Sequence, residues 1–209
     1  MYKILILTSC TSKKAFNPPN LLTIDDFKDK TLLKQRTEEL AEYKTKAIDM
    51  YKGLQHMNIA EGVEQLRTIN NLTVDVAIVS AGYGLLLEND IIVPYEITFN
   101  NMKSKELVKW ASYLNIAQDV NQLIKDYDII LVALGNKYLK VLELPLNQNI
   151  FLFETKQEDA KLYSYPLIAL KGYQIKLLSN YIYNNPMILD SIYQNPQIIK
   201  NILLNLIPH

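Results

Sequence analysis

Four short apolar runs punctuate the chain, and stretches of helical periodicity separate them. Residues 2–9, Tyr-Lys-Ile-Leu-Ile-Leu-Thr-Ser, read as a buried parallel strand, because a strand covered on both faces loses its polar/apolar alternation. Residues 74–80, 127–134 and 149–153 repeat the pattern. Residues 91–96 are extended too, but Pro94 confines them to an edge or a loop. Elsewhere apolar residues recur at three-, four- and seven-residue spacings. Leu33, Leu40, Ala47, Met50 and Leu54 predict a helix over 32–57, and a second is expected over 61–69. Ser104 is expected to cap a helix with Leu107, Val108, Ala111 and Leu114 inward. Further helices are expected over 116–125, 136–142, 173–184, 187–194 and 197–206. The last two each follow an Asn-Pro pair, where proline suits the first helical turn.

Strands alternating with helices predict an α/β fold: a mainly parallel sheet flanked by helices, with a helical C-terminal segment. Strand signals stop near Lys171, so the organisation reads as an α/β domain over residues 1–171 and C-terminal helices over 172–209 packed on it. In such open sheets ligands bind beyond the carboxyl ends of the strands. Here those ends carry residues 8–14, 80–86 and 134–137, the most polar and glycine-bearing segments of the chain.

Composition narrows the function classes. The 22 basic and 22 acidic residues cancel, which argues against the basic excess typical of strong non-specific DNA binding but leaves room for a local basic stripe. No apolar run reaches the roughly 20 residues a bilayer span needs. The first run is too short for a signal sequence. A single cysteine, Cys10, excludes an internal disulfide, and a cytoplasmic location is the expectation. His56 and His209 lie far apart in sequence, so no histidine-based triad or metal site is expected, and His56 is expected at a helix surface. No cofactor is implied.

The first strand end offers Ser9, Cys10, Thr11, Ser12, Lys13 and Lys14. Hydroxyls, backbone N–H groups and two lysines suit an anion such as phosphate, although the segment lacks the glycines of a P-loop; a solvated turn is the plain alternative. Cys10 is either a nucleophile or a small buried residue. At the second end, Ser80, Tyr83 and Gly84 combine a hydroxyl, a ring able to stack on a base, and a glycine permitting positive φ or close ligand approach; a tight turn around a packed tyrosine is the alternative. Tyr95, Glu96 and Asn100 follow, with acid/base and hydrogen-bonding groups. Gly135 and Asn136, after the third strand, suit a phosphate or ribose contact or simply a turn. Tyr173, Tyr181, Tyr183 and Tyr193, interleaved with Lys171, Lys176 and Lys200, suit either helix packing or nucleic-acid contact.

Taken together, Ser9-Cys10-x-x-Lys13-Lys14, Ser80-Ala81-x-Tyr83-Gly84-Leu85-Leu86, Ile92-x-Pro94-Tyr95-x-x-Thr98-x-Asn100 and Leu134-Gly135-x-x-Tyr138 resemble the YaaA-type peroxide-stress proteins. They are closer still to an uncharacterised bacterial, archaeal and phage family related to them. The resemblance spans residues 2–140. It implies an α/β fold and, from the stress proteins, DNA binding in a stress response. The first loop is also similar to one in the catalytic core of archaeosine synthase, with Ser9, Ala15 and Phe16 standing where that loop has Pro, Pro and Tyr. Both likenesses imply nucleobases or nucleic acid.

The reading is therefore a nucleobase- or nucleic-acid-directed protein, with base modification or N-glycosidic-bond chemistry as its enzymatic forms. A non-enzymatic DNA-binding stress protein and an enzyme acting on free nucleosides or nucleotides are the alternatives. Cys10 and Glu96 are the reactive candidates. Lys13 and Lys14 would hold a phosphate, Tyr83 and Tyr95 would stack on or orient a base, and Asn100 and Asn136 would read its polar edges. The expected partner is a nucleic acid or nucleotide-like ligand, not a membrane; the oligomeric state stays open.

Overall fold

The apolar runs become the middle of a five-stranded sheet. In this computed structural model, which describes residues 1–145 and 149–207, β1 (Tyr2–Ser9) lies between β3 (Leu72–Ser80) and β6 (Ile129–Ala133), parallel to both. Ile4, Leu5, Ile6 and Leu7 are each 1% exposed or less, which explains a run without polar alternation. β7 (Ile150–Leu152) continues the parallel sheet beyond β6, and β4 (Gly84–Leu87) closes the other edge antiparallel to β3. The order is β4-β3-β1-β6-β7, so the fold is α/β with a mostly parallel sheet.

Between β1 and β3 run α1 (Ile24–Lys28), α2 (Lys30–Glu39), β2 (Thr45–Lys46), α3 (Ala47–Met50) and α4 (Leu54–Leu66). The single helix expected over 32–57 is broken here. Tertiary pairing overrides its periodicity: β2 pairs with β5 (Ile91–Ile92), and the Ala47 and Ile48 amides donate to the Asp90 and Glu88 carbonyls. After β5 come α5 (Ser104–Tyr113) and α6 (Ile116–Leu123). Lys103 occupies the N-cap of α5, so Ser104 is its first helical residue and does not cap it. α7 (Asn136–Leu139) follows β6. Beyond β7 lie α8 (Gln157–Leu162), which the sequence pattern did not announce, then α9 (Leu167–Asn184), α10 (Ile188–Gln194) and α11 (Ile198–Asn205). Lys171 lies inside α9, not at its start. Ile175, Leu178, Ile192 and Ile199 belong to the same buried cluster as the sheet residues. No helix among the described residues is long and apolar enough to cross a membrane.

The order of strands locates the ligand crevice. From β1 the chain crosses towards β3, and from β6 towards β7, in opposite directions. Adjacent β1 and β6 therefore form the topological switch point, the place at which open α/β sheets bind ligands. Right-handed crossovers put α4 on one face and α5 and α6 on the other. α9 packs closely against α4. From those two helices Gln55 Nε2 donates to the Ala133 carbonyl (3.1 Å) and Lys171 Nζ to the Leu134 carbonyl (2.5 Å), fixing the end of β6 from the α4 side.

Candidate functional site

β1 delivers Cys10 to the switch point, with its amide donating to Val79 O at 3.0 Å. From the adjacent strand end α7 presents Tyr138, and Cys10 Sγ lies 3.1 Å from Tyr138 Oη. This contact joins the ends of β1 and β6. The remaining groups arrive from β3 and from the segment after β5. Ser80 Oγ is 2.8 Å from Tyr95 Oη, which is 2.9 Å from Tyr51 Oη. Tyr51, Tyr95 and Ser80 are all at most 1% exposed. Burial pushes the Tyr51, Tyr95 and Tyr138 hydroxyls well above the usual phenol range, and the Cys10 side chain is the second cause for all three. All three hydroxyls therefore stay protonated at neutral pH, and the Tyr138 one lies against the thiol.

The first loop is clamped so as to bring Lys14 into this cluster. Ala15 N donates to Met50 O (2.7 Å), Lys52 N to Lys13 O (2.9 Å), and Gly53 N to Thr11 Oγ1 (3.2 Å). Lys14 Nζ then lies 4.4 Å from the centre of the Tyr95 ring, a cation–π arrangement. Its burial lowers the ammonium from its ordinary value, while Cys10 and Glu96 oppose that shift. Lys13 is exposed, whereas Lys14 is partly buried.

The segment after Pro94 is held by Leu22, whose amide donates to Pro94 O (3.3 Å) and whose carbonyl accepts from Glu96 N (2.8 Å). It continues past Thr98 to Phe99, whose ring packs 5.0 Å from that of Tyr138. Lys137 Nζ donates to the Asn100 and Met102 carbonyls (2.7 and 2.8 Å), tying this segment to α7. Cys10 with Tyr138, and Ser80 with Tyr95, Tyr51 and Lys14, are thus two contacting groups at neighbouring strand ends, drawn from stretches remote in sequence. Ser9 is buried beside Cys10; Glu96, Asn100, Gly135 and Asn136 are exposed around it.

One assignment made on sequence changes. Tyr95 is 0% exposed and cannot offer a ring face to a base. Tyr83 is partly buried: its hydroxyl donates to Val93 O (3.1 Å) and accepts from Val93 N (3.2 Å), and its ring packs edge-on against Phe27 and Tyr95. Burial raises the Tyr83 hydroxyl to about 12. The glycines beside it serve packing. A Cβ at Gly82 would lie 3.0 Å from Tyr95 Cδ2, and Gly84 takes φ +79° to begin β4, with Leu114 O 3.0 Å from where a Cβ would stand. Residues 84–86 are a strand, not a ligand loop.

Tyr51 carries no sequence signal, because it follows a helical pattern and becomes relevant only when the chain folds back onto the first loop. Tyr138 was visible only within the resemblance. Part of the lysine and tyrosine stripe is used internally: Lys171 holds Leu134 O, Lys176 pairs with Glu61 at 2.8 Å, and Tyr173 stacks on Tyr165 at 4.1 Å, whereas Tyr183 and Tyr193 are exposed. A separate cleft of about 650 Å³ lies between β7, α8 and α11, lined by Phe151, Tyr163 and Lys200 among others. It contains none of the cluster residues, and the reactive groups meet only at the switch point. Among the described residues no three His, Cys, Asp or Glu side chains gather to hold a metal ion.

His56 is buried at 1% exposure, contrary to the surface position expected; His209 lies outside the described residues. His56 Nε2 donates to Ile48 O at 2.8 Å, and Nδ1 has no partner. Burial lowers its proton affinity, so the unfolded chain binds a proton more readily than the fold does. This stability contribution is complete above the ordinary histidine value of about 6.5 and is lost as pH falls through that value towards the lower folded one. The urea midpoint is expected to be lower at pH 5 than at pH 7.5, with a smaller difference in His56→Gln. Equal pH dependence in the two proteins would contradict the assignment.

Residues 35–162 match the family of unknown function DUF6884, well over half of the chain. The chain belongs to this family. The DUF6884 match covers Tyr51, Ser80, Tyr95, Glu96, Asn100 and Tyr138, whereas Cys10 and Lys14 precede it. A comparison with curated proteins returns no match.

Proposed function

We propose that the protein is an enzyme acting on a nucleobase or nucleotide-like ligand, with Cys10 as its reacting group. The observation that carries this reading is the 3.1 Å contact of Cys10 Sγ with Tyr138 Oη across the switch point. This thiol has Lys14 near it and the Tyr138 hydroxyl against it, a cation and a donor that can meet charge developing at the sulfur. Attack of the Cys10 sulfur on an electrophilic ring carbon would form a C–S bond as a ring C=N π bond opens onto its nitrogen, and the thiol proton would pass to that nitrogen through an adjacent hydroxyl. The base-directed half of the proposal draws on the likeness to the YaaA-type and archaeosine synthase families and on the exposed rim. Asn100 and Asn136 suit the paired donor and acceptor edges of a base, and Lys13 suits a phosphate. Since Tyr95 is fully buried, the partly exposed rings of Tyr83 and Phe16 are the ones free to stack on a base.

The test is thermal unfolding in the presence of free bases, nucleosides, nucleotides and short oligonucleotides. A ligand at about 100 times its Kd adds about 2.7 kcal/mol, or roughly 5–10 °C for a chain of this size. At least one of these ligands is expected to raise the midpoint saturably, and Asn100→Ala to weaken the effect. If none of them raises it, the base-directed reading is wrong.

A further inference from the structure

The lysines around the ends of β1 and β6 differ in what they hold, and hydrogen-bond counting separates them. A lysine ammonium has three N–H donors and no acceptor. Lys137 gives two of them to the Asn100 and Met102 carbonyls. Lys14 lies over the Tyr95 ring and reaches Thr11 O at 3.5 Å. Lys13 is exposed. Lys171 is partly buried, yet among the described residues its ammonium has one acceptor, Leu134 O at 2.5 Å, and no ion pair. Two of its N–H donors therefore remain to be given. The nearest carboxylate by strand register is Glu154, which leaves β7 as Leu134 leaves β6, two residues beyond the paired Leu152 and Val132. Burial lowers the Lys171 ammonium from its ordinary value, and Glu154 opposes that shift without pairing. A partly buried cation with no anion of its own carries a desolvation cost that an incoming anion relieves.

The fold holds this ammonium in place. Gly172, the next residue, lies against the Gln55 backbone, where a Cβ would stand 2.9 Å from the Gln55 Cα. Gln55 Nε2 in turn holds Ala133 O at 3.1 Å and lies 3.4 Å from Thr8 Oγ1, so it bridges the ends of β6 and β1. Lys171 thus reaches the switch point from the α4 side. Room for a ligand lies beside it. Gly135, which follows Leu134, is exposed, and a Cβ there would meet no atom within 4 Å. Resting on the reading of a nucleotide-like ligand at the switch point, we propose that Lys171 is a phosphate-binding residue, which gives its two remaining N–H donors to a phosphate lying beside Gly135 while the third stays on Leu134 O. Holding Leu134 O takes a donor but no charge; the charge serves the anion. The ligand is thereby narrowed to one that carries a phosphate, a nucleotide in preference to a free base or nucleoside.

The test is calorimetric titration with adenosine, guanosine, cytidine and uridine, with their 5′-monophosphates, and with inorganic pyrophosphate. At least one monophosphate is expected to bind about tenfold more tightly than its nucleoside, the gain that a charge-assisted contact brings. Lys171→Gln keeps a donor for Leu134 O and removes the charge. It is expected to abolish that gain and to leave nucleoside binding in place. Glu154→Gln removes the carboxylate that an anion must oppose and is expected to tighten the monophosphate about threefold without moving the nucleoside. It reads the same site should Lys171→Gln fold poorly. Two results would overturn the inference and leave the base-directed reading standing: nucleosides that bind as tightly as their monophosphates, or a gain that survives Lys171→Gln and disappears in Lys13→Gln. Pyrophosphate that binds the wild type but not Lys171→Gln, with every nucleoside and nucleotide silent, would keep the anion site and remove the base-directed reading. Binding of none of these probes would end both.

Discussion

Replacing Gly172 by leucine is expected to destabilise the protein by about 3 kcal/mol, lowering the midpoint of thermal unfolding by roughly 6–12 °C. Gly172 is where α9 meets α4. A Cβ at this position would lie 2.9 Å from the Gln55 Cα and closer still to the Gln55 carbonyl oxygen, which is backbone and cannot rotate away. Two effects compete for the milder Gly172→Ala. Helix propensity favours alanine by about 1 kcal/mol, while overpacking costs about 1–3 kcal/mol. With backbone on the far side the second is expected to win, so this change also destabilises. The damage reaches the candidate site, since Gln55 and Lys171 hold the Ala133 and Leu134 carbonyls from these two helices. Urea unfolding of the two variants, with Asn180→Ala as an exposed control on the same helix, measures it. A stabilised Gly172→Ala would mean that α4 and α9 do not approach this closely.

How much of this was legible in the sequence differs element by element. β1, β3 and β6 could be read because strands buried on both faces write themselves as unbroken apolar runs. β4 could not: four residues opening with glycine give too short a signal, and the hairpin that forms it depends on Gly84 adopting positive φ. The helix expected over 32–57 failed where backbone amides found partners far away in sequence, at residues 88 and 90. Periodicity has no access to such partners.

The same division runs through the site. Cys10 and Lys14 stood out because polar residues directly follow a buried strand. Their relation to Tyr95 did not, because it depends on the first loop being pinned to residues 50–53 and on Leu22 holding the segment after Pro94. Tyr83 and Tyr95 were conspicuous as rings near a strand end. Whether a ring faces a ligand or the core depends on what covers it, and here Phe27 from α1 does part of the covering. His56 was misplaced for the same reason, since its helix is covered on the side that faces Tyr51 and Ile48.

The second large effect concerns Cys10 itself, and its measurement is the most direct test of the account. Cys10 is buried but for 9% of its surface, beside Lys14 and within hydrogen-bond reach of Tyr138. A thiol in such surroundings reacts faster than one in open solvent, provided that a small reagent can enter. Iodoacetamide at neutral pH is therefore expected to alkylate Cys10 in the folded protein about tenfold faster than in the urea-unfolded chain, and Lys14→Met to remove most of that advantage. A ligand found by thermal unfolding is expected to protect the thiol. The result that would contradict the account is a Cys10 that stays unmodified in the folded protein and reacts only once urea has unfolded it.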